Sequence, residues 1–163
     1  MQAIIFIGIQ ASGKSSFYKE NFFHSHVRIS LDLLRTRHRE HQFLKVCLQT
    51  SARFVVDNTN PTPQERQKYI ALAQEKRYEV IGYFFRTTLS AALERNRKRT
   101  GKERIKDIGL YDCQKKLTPP SFAEGFDRLF EVTLQQNTFV VTEWPQPASP
   151  WADPAENEQQ PPR

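Results

Sequence analysis

Cysteine is scarce in this 163-residue chain: Cys47 and Cys113 stand alone, with neither a C-x-x-C pair nor a His/Cys cluster around them. That isolation fits buried packing in a reducing compartment better than a disulfide or a metal site. Long apolar runs are missing too, and nothing approaches the roughly 20 residues a membrane-crossing helix needs. The apolar stretch Ala3–Ile7 is too short for a secretory signal and leads straight into a glycine-containing turn. No internal repeat is visible. These absences predict a soluble cytoplasmic protein with no membrane partner. At this length one domain can bury its own core.

Acids are the minority charge, 18 against 24 Lys and Arg, for a net of +6. The balance is uneven. Residues 143–163 hold four acids and one arginine, so residues 1–142 carry +9. The C-terminal stretch is rich in Pro and Gln, with Trp144 and Trp151 as its only large apolar groups. It reads as a flexible tail following a domain of residues 1–142. So basic a body suggests an anionic partner, nucleic acid foremost, although ordinary solvated surface also produces such a count.

What the chain does contain is Gly8-Ile9-Gln10-Ala11-Ser12-Gly13-Lys14-Ser15, a complete G-x-x-x-x-G-K-S/T phosphate-binding loop. It follows a predicted strand, Ala3–Ile7, and precedes a predicted helix over 14–23, the context the motif requires. Gly8 and Gly13 let the backbone curl so that N–H groups converge on phosphate oxygens, helped by the helix N-terminus. Gly8, Gln10, Ala11, Ser12, Gly13, Lys14, Ser15 and Ser16 are therefore expected to hold ATP, with Lys14 on the β- and γ-phosphates and Ser15 on Mg²⁺.

Beyond the loop, strands are expected over 26–30, 53–57, 79–85, 128–134 and 138–142. Helices are expected over about 39–50 and 63–76, and from about Leu89. Alternating strands and helices predict an α/β fold, a parallel sheet covered by helices on both faces, with the site at the C-terminal strand ends.

Three clusters border that edge. Asp32 follows the second strand, where a carboxylate can take a proton from an acceptor hydroxyl as it attacks phosphorus. Taken alone, Asp before a helix is more often an N-cap. Arg35, one turn on, can hold an anionic group of the acceptor. Asp57-Asn58-Thr59-Asn60 ends the third strand, where Asp57 can organise Mg²⁺ while Thr59 and Asn60 orient the acceptor; a plain Asn/Pro turn is the alternative. Arg95 to Arg104 holds four arginines, with Arg95 and Arg99 on one helical face. After a βα unit, such a run suits a lid that closes on transferring phosphate. His38 and His41, with Glu40 between them, mimic a metal site without an acidic partner cluster; a solvated helix is the simpler reading.

In order, these pieces resemble the kinase domain of the polynucleotide 5′-hydroxyl kinase family over most of residues 1–134. Ser30-Leu31-Asp32-Leu33-Leu34-Arg35 is similar to its Asp-x-x-Arg element. Val56-Asp57-Asn58-Thr59-Asn60-Pro61 resembles its Asp-Asn-Thr-Asn-Pro turn, and Arg95-Asn96-x-x-Arg99 its lid. Pro119 to Phe126 is similar to a segment near the end of the mammalian-type domain. The resemblance implies a P-loop kinase fold with Asp32 as general base, Arg35 on the phosphate next to the attacked hydroxyl, and Arg95 and Arg99 on the donor phosphates. Two departures stand out: the interval between Asp32 and Asp57 is short, and no phosphatase domain accompanies the kinase segment within these 163 residues.

The leading expectation is an ATP- and Mg²⁺-dependent kinase acting on the 5′-hydroxyl end of DNA or RNA. A small-molecule kinase for a sugar, nucleoside or antibiotic hydroxyl is the alternative, and a nucleotide-gated binding module is a third reading.

Overall fold

The computed structural model describes residues 1–146. In chain order its elements are β1 (Gln2–Ile7), α1 (Lys14–Asn21), β2 (Val27–Ile29), α2 (Leu31–Leu34), α3 (Arg37–Gln49), β3 (Phe54–Val56) and α4 (Pro63–Glu75). Then follow β4 (Glu79–Phe85), α5 (Leu89–Arg97), α6 (Asp107–Lys116), β5 (Arg128–Gln135) and β6 (Thr138–Glu143). The six strands make one sheet in the order β2-β3-β1-β4-β5-β6. Every neighbouring pair is parallel except β5 and β6, which form an antiparallel hairpin. The expected parallel sheet thus gains one reversed edge strand, because the two-residue Gln136-Asn137 turn is too short for a crossover.

β1 shows why the strands read as near-continuous apolar runs. Ala3, Ile5 and Ile7 face a core completed by Leu44, Cys47 and Leu48 of α3 and by Tyr69, Ile70 and Ala73 of α4. Ile4 and Phe6 face the other way, against Phe17 and Tyr18 of α1. A central strand covered on both faces has no polar side to show. A smaller cluster, Ile9, Ala11, Ala92, Leu110 and Cys113, seats the turn after β1 on α5 and α6. Both cysteines are free and buried.

Parallel order brings the C-terminal ends of β1 to β4 to one edge of the sheet, each running directly into a segment rich in polar residues. Two helices were not expected from sequence. α2 is a single turn, too short to show a period, and α6 carries Gly109 within a strongly polar stretch. At the other end, Glu143 closes β6 and Trp144 packs edge-on against Phe84, with its backbone N–H donated to Leu129 O at 2.9 Å. The first two residues assigned above to a tail are therefore built onto the sheet. Trp151 and the rest of 147–163 lie outside the described residues. Among the described residues no helix is long and apolar enough to cross a membrane.

Candidate active site

The loop between β1 and α1 owes its shape to two glycines. A methyl group on Gly8 would meet Phe85 Cβ at 2.9 Å. Gly13 has φ +93°, and a Cβ there would strike the ring of Phe139 at 2.9 Å. Gly13 is followed by α1, which has neither a side-chain cap nor an acid in its first turn. By contrast, α3, α4 and α5 each begin with a threonine hydroxyl accepting a backbone N–H. The first N–H groups of α1 keep their partial positive charge available for an anion.

Lys14 is buried and folds back over the loop. Its Nζ donates to Gly8 O at 3.0 Å, Ile9 O at 2.6 Å and Ser12 Oγ at 3.3 Å. Burial lowers its pKa from 10.5 to about 8, opposed in part by the charge of Asp57. Asp32 and Arg99 also stand close enough for their charges to act on Lys14, the acid favouring its proton and the guanidinium opposing it. Asp32, Lys14 and Arg99 therefore share one electrostatic neighbourhood although they come from α2, the loop and the segment after α5.

The Asp57 carboxylate is buried at the end of β3 and meets Ser15: Ser15 Oγ donates to Oδ2 at 3.0 Å. A hydroxyl and a carboxylate oxygen this close form a hard, all-oxygen pair, which suits Mg²⁺ completed by phosphate and water. A third residue enters here that sequence reasoning missed. Arg28 donates Nε to Asp57 Oδ2 at 2.8 Å and Nη2 to Ser15 Oγ at 2.9 Å. Its signal was a charge in the middle of a three-residue strand between apolar neighbours, where an unpaired arginine would be costly.

Asp32 lies inside the first turn of α2, is exposed, and is not the cap of that helix. The capping is done from outside: Asn58 Oδ1 accepts the Leu31 N–H at 2.9 Å, and Asn58 Nδ2 donates to Glu40 at 2.8 Å. Glu40 is buried and also accepts from Tyr69 and Arg37, so it is a tie between α3, α4 and the β3 turn rather than part of a histidine metal site. Arg35 ends α2 with φ +71° and an exposed side chain. That strained angle sets it apart from its neighbours.

Thr59 and Asn60 were expected to touch an acceptor; the Asn60 side chain is instead turned to the back of the loop, and Thr59 meets the loop through its backbone carbonyl. Asn60 is buried with Nδ2 donating to Phe6 O at 2.8 Å, while Thr59 O accepts the Gly8 N–H at 3.0 Å. Both brace the loop from behind. Asn60 also sits at φ +43°, a region asparagine tolerates.

In the arginine-rich segment, Arg95 Nη1 donates to Ala11 O at 2.7 Å, pinning α5 to the loop. Asn96 is fully buried and clasps both polar atoms of Ile105, accepting its N–H at 3.1 Å and donating to its carbonyl at 2.7 Å. The intervening segment, with a short 3-10 turn at Gly101–Glu103, projects from that clasp as an exposed basic loop. A separate surface groove of about 590 Å³, lined by Leu89, Leu93 and Tyr111 among others, shares no residue with the phosphate loop.

A family model described as an AAA domain matches residues 4–120. The bifunctional polynucleotide phosphatase/kinase of Schizosaccharomyces pombe is 24% identical over 138 residues, covering 82% of this chain and 34% of the relative. A protein of Acanthamoeba polyphaga mimivirus with a matching description is 30% identical over 140 residues, covering 82% and 33%. The chain spans about a third of the length of the curated relatives it matches. Among solved structures, a gluconokinase from Sinorhizobium meliloti aligns with a TM-score of 0.60 at 20% identity, over 83% of each chain. Kti12 from Chaetomium thermophilum in complex with ADP-AlF3 aligns with a TM-score of 0.57 at 14% identity, over 80% of this chain and 88% of that one. The architecture is the α/β P-loop kinase fold.

Proposed function

Since the chain belongs to this AAA-domain family, we propose that it is an ATP-dependent kinase that moves the γ-phosphate to the 5′-hydroxyl end of a polynucleotide. The observation that carries the reading is the phosphate loop itself, with an uncapped α1 behind it, Lys14 folded over it and Ser15 joined to Asp57 at 3.0 Å; the charges of Asp32 and Arg99 both reach the loop lysine. Loop N–H groups and Lys14 bind the donor phosphates. For Lys14 this means exchanging the Gly8 and Ile9 carbonyls for phosphate oxygens, with the amine protonated. Asp32 takes the proton of the acceptor hydroxyl as its oxygen bonds to the γ-phosphorus. The bond from that phosphorus to the bridging oxygen breaks, and ADP carries the electron pair away. Arg99, and Arg95 beside Ala11, balance the charge that develops on the transferring group. Mg²⁺ held through Ser15 and Asp57 would offset charge on the β- and γ-phosphate oxygens. Arg35, exposed one turn from Asp32, grips the phosphate next to the attacked hydroxyl.

Two further observations support a polynucleotide over a neutral acceptor. The segment before the tail carries +9, and both matching curated relatives bear polynucleotide phosphatase/kinase descriptions. The test is transfer of labelled phosphate from ATP to a 5′-hydroxyl oligonucleotide. Asp32→Ala is expected to lose about 10²- to 10⁴-fold in rate while binding ATP normally. Transfer unchanged in Asp32→Ala would remove Asp32 as the base. Transfer only to sugars or nucleosides would replace the acceptor.

A further inference from the structure

Ser15 and Asp57, the pair suited to Mg²⁺, already share a cation. The Arg28 guanidinium forks across them, Nε on Asp57 Oδ2 at 2.8 Å and Nη2 on Ser15 Oγ at 2.9 Å. The Asp57 side chain is 2% exposed and that of Arg28 22%. A carboxylate so deeply buried is costly to hold ionised without a counter-charge. Arg28 supplies it, and among the described residues it is Asp57's one ion-pair partner.

The guanidinium occupies Ser15 Oγ and one of the two Asp57 carboxylate oxygens, the groups through which the protein would hold the metal. Two cations on one carboxylate repel strongly at such range. The guanidinium also leaves part of the site unsatisfied. Ser30 lies two residues beyond Arg28, on the same face by strand alternation, and the β2–β3 ladder sets it beside Asp57 through the Asp57 N–H to Ile29 O bond of 2.8 Å. Ser30 is fully buried, occupies the N-cap position of α2 without a side-chain cap bond, and its Oγ has no partner. A buried hydroxyl without a partner costs free energy that a hydrated ion beside it would recover. In the same position its Cζ lies 5.8 Å from the Tyr18 ring centroid, a contact that does not depend on Asp57.

We propose that Arg28 is a resident counter-cation of the metal site, one that holds Ser15 and Asp57 together and must leave them when Mg²⁺ binds. It thereby sets how much Mg²⁺ the protein requires. This rests on Ser15 and Asp57 being the metal pair, the reading given above.

The experiment is a Mg²⁺ titration of the full chain at fixed ADP, read by thermal unfolding and by ADP affinity rather than by phosphate transfer. In Arg28→Gln the half-saturating Mg²⁺ concentration is expected to fall about tenfold, the scale of one competing charged hydrogen bond. The melting temperature without Mg²⁺ should fall as well, with Mg²⁺ restoring more of it than in the parent chain. Arg28→Lys keeps a charge beside Asp57, and so a folded protein, but cannot fork across both oxygens; its Mg²⁺ requirement should fall between the two. An unchanged or raised requirement in both variants, with the parent responding to Mg²⁺ and Asp57→Asn not, would overturn the proposal and leave the metal pair standing. No response to Mg²⁺ in any of the proteins would overturn the pair itself, and the proposal with it.

Discussion

Lys14 illustrates how a single side chain records the purpose of its surroundings. The loop that withdraws it from water lowers its pKa to about 8, and the nearby carboxylates of Asp57 and Asp32 only partly oppose that. Bound phosphates favour the protonated amine, so nucleotide affinity should fall as the free protein loses that proton. An ADP titration is expected to show affinity level at acidic pH and about tenfold weaker at pH 9 than at pH 7. Lys14→Met should bind weakly with no such slope. The same shift acts on folding with a definite sign. Between about pH 8 and the ordinary lysine value of 10.5 the unfolded chain keeps a proton that the native lysine has released. The Lys14 contribution to stability therefore rises with pH across that window. Gly13 belongs to this scale as well: its positive φ and the Phe139 ring against it forbid any side chain.

At the scale of elements, the turn after β3 is a junction. Asn58 caps α2 and holds α3, Thr59 and Asn60 brace the phosphate loop, and Arg66 of α4 secures the turn from below. Arg66 is 0% exposed and donates to Asn60 O and Thr118 O at 3.0 Å each. Its remaining donors meet Glu124 in a two-point pair at 2.7 and 3.1 Å. Glu124→Ala would strand a buried guanidinium, and chemical denaturation is expected to show a loss of about 3–5 kcal/mol. Glu124→Gln should cost less, since it keeps an acceptor. The junction explains why the two parts of the site were not equally legible. The loop motif announces itself, and Thr36, Thr62 and Thr88 cap their helices through residues three positions on. By contrast, Asn60 looks the same in sequence whether it faces an acceptor or the carbonyl of Phe6. Only the position of β1 behind it decides which.

Over the whole molecule, exposed basic groups come from two separate segments. Arg35, Arg37 and Arg39 are exposed at the end of α2 and along α3, and Arg97, Lys98, Lys102 and Arg104 at the end of α5 and in the loop after it. A single-stranded acceptor in contact with both segments would neutralise several of them, each adding about −0.7 to the slope of log affinity against log salt. A 5′-hydroxyl oligonucleotide is therefore expected to show a slope steeper than about −2, measured by fluorescence anisotropy. A neutral sugar should show almost none. By itself the sequence determined the phosphate loop, the alternation of strands and helices and the buried character of the sheet, because those signals lie in adjacent residues and in a short period. It also drew attention to Asp32, Asp57 and the arginine run as residues able to do chemistry. Tertiary structure alone decided that Arg28 would lie on Asp57, 29 positions away, and Arg66 on Glu124, 58 away. Those pairings depend on sheet order and strand register, which fix side-chain positions through contacts between segments far apart in the chain.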